Sequence, residues 1–150
     1  MDASDDFVQR TASALTAAGF PRMPASVMMA LMGADAEGLT ADEIGARVGA
    51  SPAAVSGAVR YLENVGLLRR RRRPGERRAL HELTEHAWSA ATGGRTDLYD
   101  HLLTLSAAEL ERLPEGSIVR ERIAEMADFM EFARDALPRL LAEWRESRRG

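Results

Sequence analysis

The apolar positions of the chain change period several times, and each change marks an element. Phe7, Ala14, Leu15 and Ala18 recur at loose helical spacing. They predict a first helix over Asp5 to Ala18, ended by Gly19-Phe20-Pro21. Val27, Met28, Leu31 and Met32 form a second buried stripe on a helix that Pro24 opens, and Gly33 to Gly38 reads as a polar loop. Ile44 and Val48 then recur four apart on a short helix. Thr40-Ala41-Asp42-Glu43 in front of them fits a capping box: the Thr40 hydroxyl accepts from the Glu43 amide, and the Glu43 carboxylate reaches back to the Thr40 amide. Gly49 suits the end of that helix. Ser51 is a good N-cap for the next, with Pro52 in its first turn, where a missing N–H costs nothing. Val55, Val59 and Leu62 give this helix one buried face, and Gly66 closes it. Two short helices joined by a tight glycine-containing turn are a helix-turn-helix.

Behind it the pattern changes to a hairpin. Leu67 and Leu68 begin a strand that runs into five arginines, Arg69 to Arg73. Pro74-Gly75-Glu76 supplies turn chemistry. Arg77 and Arg78 start the returning strand, which ends near Leu83. Side chains on a strand alternate faces, so the arginines cannot all point one way, but those near the tip all reach outward.

The remainder reads as helix. Thr84 is an N-cap for a segment carrying His86, Trp88 and Ala91, which Gly93-Gly94 interrupts. From Asp97 a helix carries Leu98, Leu102, Leu105, Leu110 and Leu113. A second capping box at Ser106-Ala107-Ala108-Glu109 would divide it in two. Pro114-Glu115-Gly116-Ser117 is the next break. The last helix carries Val119, Ile123, Met126, Met130, Ala133, Leu137, Leu140 and Trp144 at spacings of 4-3-4-3-4-3-4, a heptad seam of the kind that pairs helices. Phe129, Phe132 and Leu141 widen the apolar face, so it should meet more than one helix, including a partner chain's. Pro138 removes one helical N–H and should bend the helix, and Arg145 to Gly150 should fray.

The fold class expected is mainly α with a small β-wing, a winged helix-turn-helix flanked by N- and C-terminal dimerisation helices. Its parts are an N-terminal packing helix at 1–21, expected against the C-terminal helices of the same or the partner subunit, a DNA-binding domain at 22–90 and a helical dimerisation region at 91–150. Length changes little: 150 residues hold one domain of ordinary size or a small one with helical extensions. Charge changes more. The chain carries 20 basic residues against 23 acidic, a net −3. From Leu39 to Leu83, nine Arg face five Asp or Glu, so a basic island of +4 sits in an acidic protein. Such an island localises an electrostatic footprint. Every basic residue is Arg, so arginine abundance alone assigns no binding role.

On the second helix of the motif, Ala53, Ala54, Ser56, Gly57, Arg60 and Tyr61 should face outward. Small residues let a helix sit deep in a major groove, Ser56 can hydrogen-bond a base edge or phosphate, and Ala53 or Ala54 can touch a thymine methyl. Arg60 and Tyr61 reach bases or backbone, and Ser51 lies at the helix N-terminus, where phosphates are held. From the wing, Arg70, Arg71, Arg72, Arg73, Arg77 and Arg78 are the candidate DNA contacts, suited to a narrow minor groove. The rival is a packed small-residue helix and a solvated charge run, with the winged helix docking a protein instead of DNA.

The stretches GFPRMPASVMMALM, LTADEIGARVGASPAAVSGAVRYLENVGLL and PGERR, followed by Trp88, resemble the winged helix-turn-helix of the MarR superfamily, and more narrowly its GbsR-like branch. The resemblance is sharp from about residue 19 to 90. It implies a homodimeric transcription regulator, usually a repressor, on an inverted-repeat operator in double-stranded DNA. The dimer would form through Val119, Ile123, Met126, Met130, Leu137, Leu140 and Trp144. It also implies a small-molecule effector between the reader domain and the dimer helices, where Met28, Trp88, Phe129 and Phe132 are candidate lining residues, although ordinary core is the more usual role for each.

Other chemistry is thin. Without cysteine there are no disulfides, thiolate metal sites or cysteine nucleophiles. His81, His86 and His101 are too scattered for a metal site, and Glu82, Glu85 and His86 read as solvated surface. No phosphate loop or nucleophile elbow is present. The chain is therefore expected to be no enzyme and to need no cofactor or metal. The acidic MDASDDF start lacks a signal-peptide core and the longest apolar run, Val27 to Met32, is too short to span a bilayer, so a cytoplasmic protein without membrane contact is expected.

Overall fold

The computed structural model describes residues 3–34, 37–85, 87 and 96–150. Their elements are α1 (Ala3–Ala17), α2 (Arg22–Met32), α3 (Ala41–Val48), α4 (Pro52–Asn64), β1 (Leu68–Arg71), β2 (Leu80–Leu83), α5 (Thr96–Arg112) and α6 (Ile118–Ser147). The chain divides into two compact units, Met1–Ala91 and Thr92–Gly150. The architecture is mainly helical with a two-stranded antiparallel wing, as the periodicity predicts.

The first unit is built around α2, which packs against α1, α3, α4 and β2. That central position explains why α2 is apolar nearly all round: Pro24, Ala25, Val27, Met28, Met29, Ala30 and Leu31 are buried. Met32, expected on the buried stripe, is exposed and Met29 takes its place, because a helix surrounded by neighbours has no single inward stripe. The helix also begins at Arg22, two residues before Pro24. The core continues through Ile44, Val55, Ala58, Val59, Leu62, Leu67 and Leu68. α1 turns Val8, Ala12 and Leu15 to this core, while Phe7 and Ala14, predicted for its apolar face, are exposed. Within the unit α1 rests on α2.

Local signals set the boundaries of the motif. The Thr40 hydroxyl accepts from Glu43 N at 3.3 Å and Thr40 N donates to Glu43 Oε2 at 2.7 Å, so the capping box is complete. The Thr40 amide, which contributes most, and the Thr40 hydroxyl, which donates to Glu43 Oε2 at 2.9 Å, hold the Glu43 carboxyl below the usual carboxylate range. Ser51 Oγ accepts from Ala54 N at 3.3 Å and starts α4. At its far end Gly66 adopts φ 78, while Gly66 N donates to Glu63 O and Leu67 N to Leu62 O. This paired closure needs a left-handed residue, which glycine supplies without a Cβ penalty, and it turns the chain straight into β1.

The wing differs from the expected hairpin in its return. β1 and β2 pair in the register Leu68↔Leu83, Arg69↔Glu82, Arg70↔His81 and Arg71↔Leu80. Arg77 and Arg78 therefore precede the return strand and lie in an eight-residue loop from 72 to 79. Thr84 closes the base: its hydroxyl donates to Gly66 O at 2.8 Å. His86, Trp88, Ala91 and Gly93-Gly94 lie outside the described residues.

The second unit is the helix pair α5 and α6. α5 is one helix, not two: Ser106 is buried and its hydroxyl donates to Leu102 O at 2.8 Å instead of capping a new start. Ser117 Oγ accepts from Arg120 N at 3.1 Å and begins α6. The Arg120 guanidinium donates to Leu110 O and Leu113 O, closing the carbonyl end of α5. Arg134 Nη1 reaches Asp100 Oδ1 at 3.4 Å, joining the C-terminal half of α6 to the start of α5. α6 is continuous through Pro138 and reaches Ser147, past the predicted start of fraying. No described helix is long and apolar enough to cross a membrane.

Candidate nucleic-acid interface

Burial divides α4 into two faces. Val55, Ala58, Val59 and Leu62 are buried, while Ser51, Ala53, Ser56, Gly57, Arg60 and Tyr61 are exposed and Ala54 is half-buried. A Cβ built on Gly57 meets nothing within 4 Å, so the middle of the exposed face is bare. The ring of Tyr61 is not wholly free for another partner: it stands edge-on to Phe20, centroids 5.8 Å apart at 86°. The outward row predicted from the sequence is thus present, with small and polar side chains first and Arg60 a turn later.

The wing arginines fall into two groups. Arg69 Nε donates to Glu82 Oε1 at 2.6 Å, across the strand pair that places them opposite. Arg71, on the same face two residues on, donates from Nη2 to Glu37 Oε2 at 2.6 Å and sets Nε 3.5 Å from Glu82 Oε2. Arg73 lies 3.9 Å from the same Glu37 oxygen and 3.8 Å from Glu76. Arg78 reaches Asp42 Oδ2 on α3 at 3.0 Å. By contrast Arg70, Arg72 and Arg77 make no ion pair with any described residue. The hydrogen bond from Arg71, with Arg73 nearby, holds the Glu37 carboxyl below the usual carboxylate range; the same bond raises Arg71. Glu82 is buried and ion-paired, which corrects its assignment to solvated surface.

These carboxylate partners were not singled out in the sequence. Alternation put Arg69 and Arg71 on one face of β1, and an acid on the return strand was the signal available. Its pairing partner depended on register, which the long loop obscured. Glu37 comes from the α2–α3 loop, which docks on the wing: Leu39 and His81 exchange backbone hydrogen bonds of 2.9 and 2.7 Å. A Cβ on Gly38 would meet His81 O at 2.8 Å, so only glycine admits this approach. His81 is buried there, its Nδ1 without a hydrogen bond and 3.9 Å from Glu63 Oε1. Burial lowers its pKa, with Glu63 opposing and Arg70 adding to the shift.

In the second unit the predicted seam splits. Ile123, Met130, Ala133 and Leu137 are covered or half-covered, whereas Val119, Met126, Leu140 and Trp144 stay exposed, together with Phe129 and Phe132 at 62% and 68%. Phe129, Phe132, Ala133, Ala136, Leu140 and Tyr99 line an open apolar groove of about 500 Å³.

Two family models match the sequence: one described as MarR family over residues 18–79, and one described as an MmpR5-like MarR family transcriptional regulator over residues 86–147. Together they span the helix-turn-helix with most of its wing, and nearly all of the second unit. The chain belongs to the MarR family of transcriptional regulators. A solved structure described as that of a transcriptional regulator shares the MarR-family chain's fold, with a TM-score of 0.84 at 21% identity over 97% of this chain and 99% of that one. MepR, a transcription regulator of the Staphylococcus aureus multidrug efflux pump MepA, superposes at 0.45 with 19% identity over 86% and 89% of the two chains. Wild-type ZitR of Lactococcus lactis, solved in complex with DNA, superposes at 0.40 with 19% identity over 87% and 94%. Those two likenesses are too loose to assign anything to this chain. No curated relative matches the sequence.

The four candidate effector residues of this MarR-family chain are not alike. Met28 is 1% exposed and packs in the core of the first unit. Trp88 lies outside the described residues. Phe129 and Phe132 line the groove of the second unit. Among the described residues no cluster of three or more His, Asp or Glu is placed to hold a metal ion.

Proposed function

We propose that this MarR-family chain, of the GbsR-like branch, is a sequence-specific DNA-binding repressor that acts in the cytoplasm as a homodimer on an inverted repeat. The observation that carries the reading is the bare, small-residue face of α4 running directly into a hairpin on which Arg70, Arg72 and Arg77 have no carboxylate partner among the described residues. Ala53, Ser56, Gly57 and Arg60 meet base edges in the major groove, and the free arginines meet backbone or flanking minor groove. The exposed apolar residues of α6 supply the pairing surface. Two-fold pairing sets the half-sites about one helical turn apart. A small-molecule effector acts by preferring one spacing of the two recognition helices over another.

The test is selection from a random duplex library at about 150 mM salt, near the physiological range. An inverted repeat is expected. Arg70→Ala, Arg72→Ala and Arg77→Ala together should then weaken binding to that site and flatten the salt slope by about 0.9 for each phosphate no longer neutralised. Unchanged affinity and slope in the triple variant would remove the wing from the reading. Recovery of no duplex, with a salt-sensitive complex to an acidic protein, would replace DNA by a protein partner.

A further inference from the structure

The wing carries its own anion. Glu37 places one carboxylate oxygen 2.6 Å from Arg71 and 3.9 Å from Arg73, two of the basic groups a phosphate would meet. Glu82 and Glu37 differ in a way that matters. The Glu82 side chain is 7% exposed and belongs to the strand pair, so it is part of the wing's own build. The Glu37 side chain is 73% exposed and comes from the docked α2–α3 loop, and among the described residues its carboxylate is held by Arg71 and Arg73 alone. An exposed pair of this kind is weak, and a DNA phosphodiester offers Arg71 a similar two-oxygen acceptor of the same charge, flanked by the further phosphates of the backbone.

We infer that Glu37 is an intramolecular stand-in for DNA phosphate: it holds Arg71 and Arg73 in the free protein and must be displaced when the wing engages the duplex. Binding at Arg71 and Arg73 is therefore an exchange of one anion for another, unlike the contacts of the unpaired arginines. Glu37 lowers affinity for all duplexes alike and so suppresses binding at sites where α4 gains little. This inference rests on the DNA-binding reading above.

The measurement is the affinity of the full chain for its selected duplex and for unrelated duplex, over a range of salt, with Glu37→Gln. The amide keeps the shape and removes the charge. Expected is tighter binding by about two- to five-fold, the size of an exposed ion pair, by the same factor on selected and unrelated duplex, with a steeper salt slope. The gain should disappear when Arg71→Ala and Arg73→Ala are already present. A gain that persists in that background would be a bulk charge effect, and the inference would fall. Weaker or unchanged binding in Glu37→Gln would make Glu37 a brace for the wing, and would equally overturn it. Glu82→Gln serves as the contrast: it removes the buried ion pairs with Arg69 and Arg71 that brace the hairpin and should weaken binding. A wild-type chain that holds no duplex at any salt would instead sink the functional reading itself.

Discussion

The two units treat their large apolar side chains in opposite ways. In the first, Met28, Met29, Ile44, Leu62 and Leu67 are almost wholly enclosed, and α2 is wrapped on nearly every side. In the second, Leu105, Ile118, Val119, Phe129, Phe132 and Leu140 are more than half exposed, and Ala133 is the one described apolar residue that is buried. A run of exposed aromatic and aliphatic residues along a 30-residue helix is uncommon on a self-sufficient surface. The first unit has completed its core from its own sequence. The second has covered only one side of α6 with α5. The same sequence thus contains a closed first unit and an open helix pair, which is the division of labour the proposed dimer would use.

The sharpest way to break this contrast is to damage each side and ask whether the damage stays local. Leu62→Ala should remove about 2–5 kcal/mol from the first unit, since the site is fully buried and collapses only in part. Thermal or denaturant unfolding of the full chain measures this. A loss near zero would mean that the reader's core is not where its stability lies. Phe129→Ala with Phe132→Ala should leave the reader folded while weakening self-association by about 1–2 kcal/mol or more for each anchor side chain. Sedimentation over a range of concentrations reads the shift. An unchanged oligomeric state would detach the open face from pairing.

The smallest effect belongs to His81 on β2, where the α2–α3 loop docks on the wing. His81 has a folded pKa below its ordinary value of 6.5, because burial disfavours the imidazolium more than Glu63 favours it. Above pH 6.5 both folded and unfolded chains are neutral at this position, so it adds no pH dependence. As pH falls below 6.5 the unfolded chain takes up the proton first, and stability falls until the folded pKa is passed. His81→Phe should flatten that part of the stability–pH curve. A curve identical to wild type between about pH 6.5 and 5 would show that His81 keeps its ordinary pKa.

Much of the architecture was written in local chemistry. Thr40 with Glu43, Ser51 before Pro52, and Gly66 after Leu62 each act within a few residues, so their effect is legible without knowing the rest of the chain. Periodicity likewise assigned Val55, Val59 and Leu62 inward and left Ser56, Gly57 and Arg60 outward. The misreadings share another origin. Ser106 looked like a cap because its neighbours fit a box, yet a buried helix interior offered its hydroxyl the Leu102 carbonyl. Met32 and Met29 exchanged roles because helix spacing says which residues share a face, not how many neighbours surround it.

For the arginines, the sequence by itself determined that a basic hairpin follows α4, because five consecutive Arg and a Pro-Gly turn permit little else. Only the tertiary structure decided which of them are spoken for. Glu37 lies 34 residues from Arg71, and Glu82 is 13 from Arg69. Their pairing depends on a strand register and a docked loop, both of them contacts between segments far apart in the chain. The heptad of α6 follows the same rule. Its spacing announced a surface made for other helices, and the packing of α5 decided which half of it remained open.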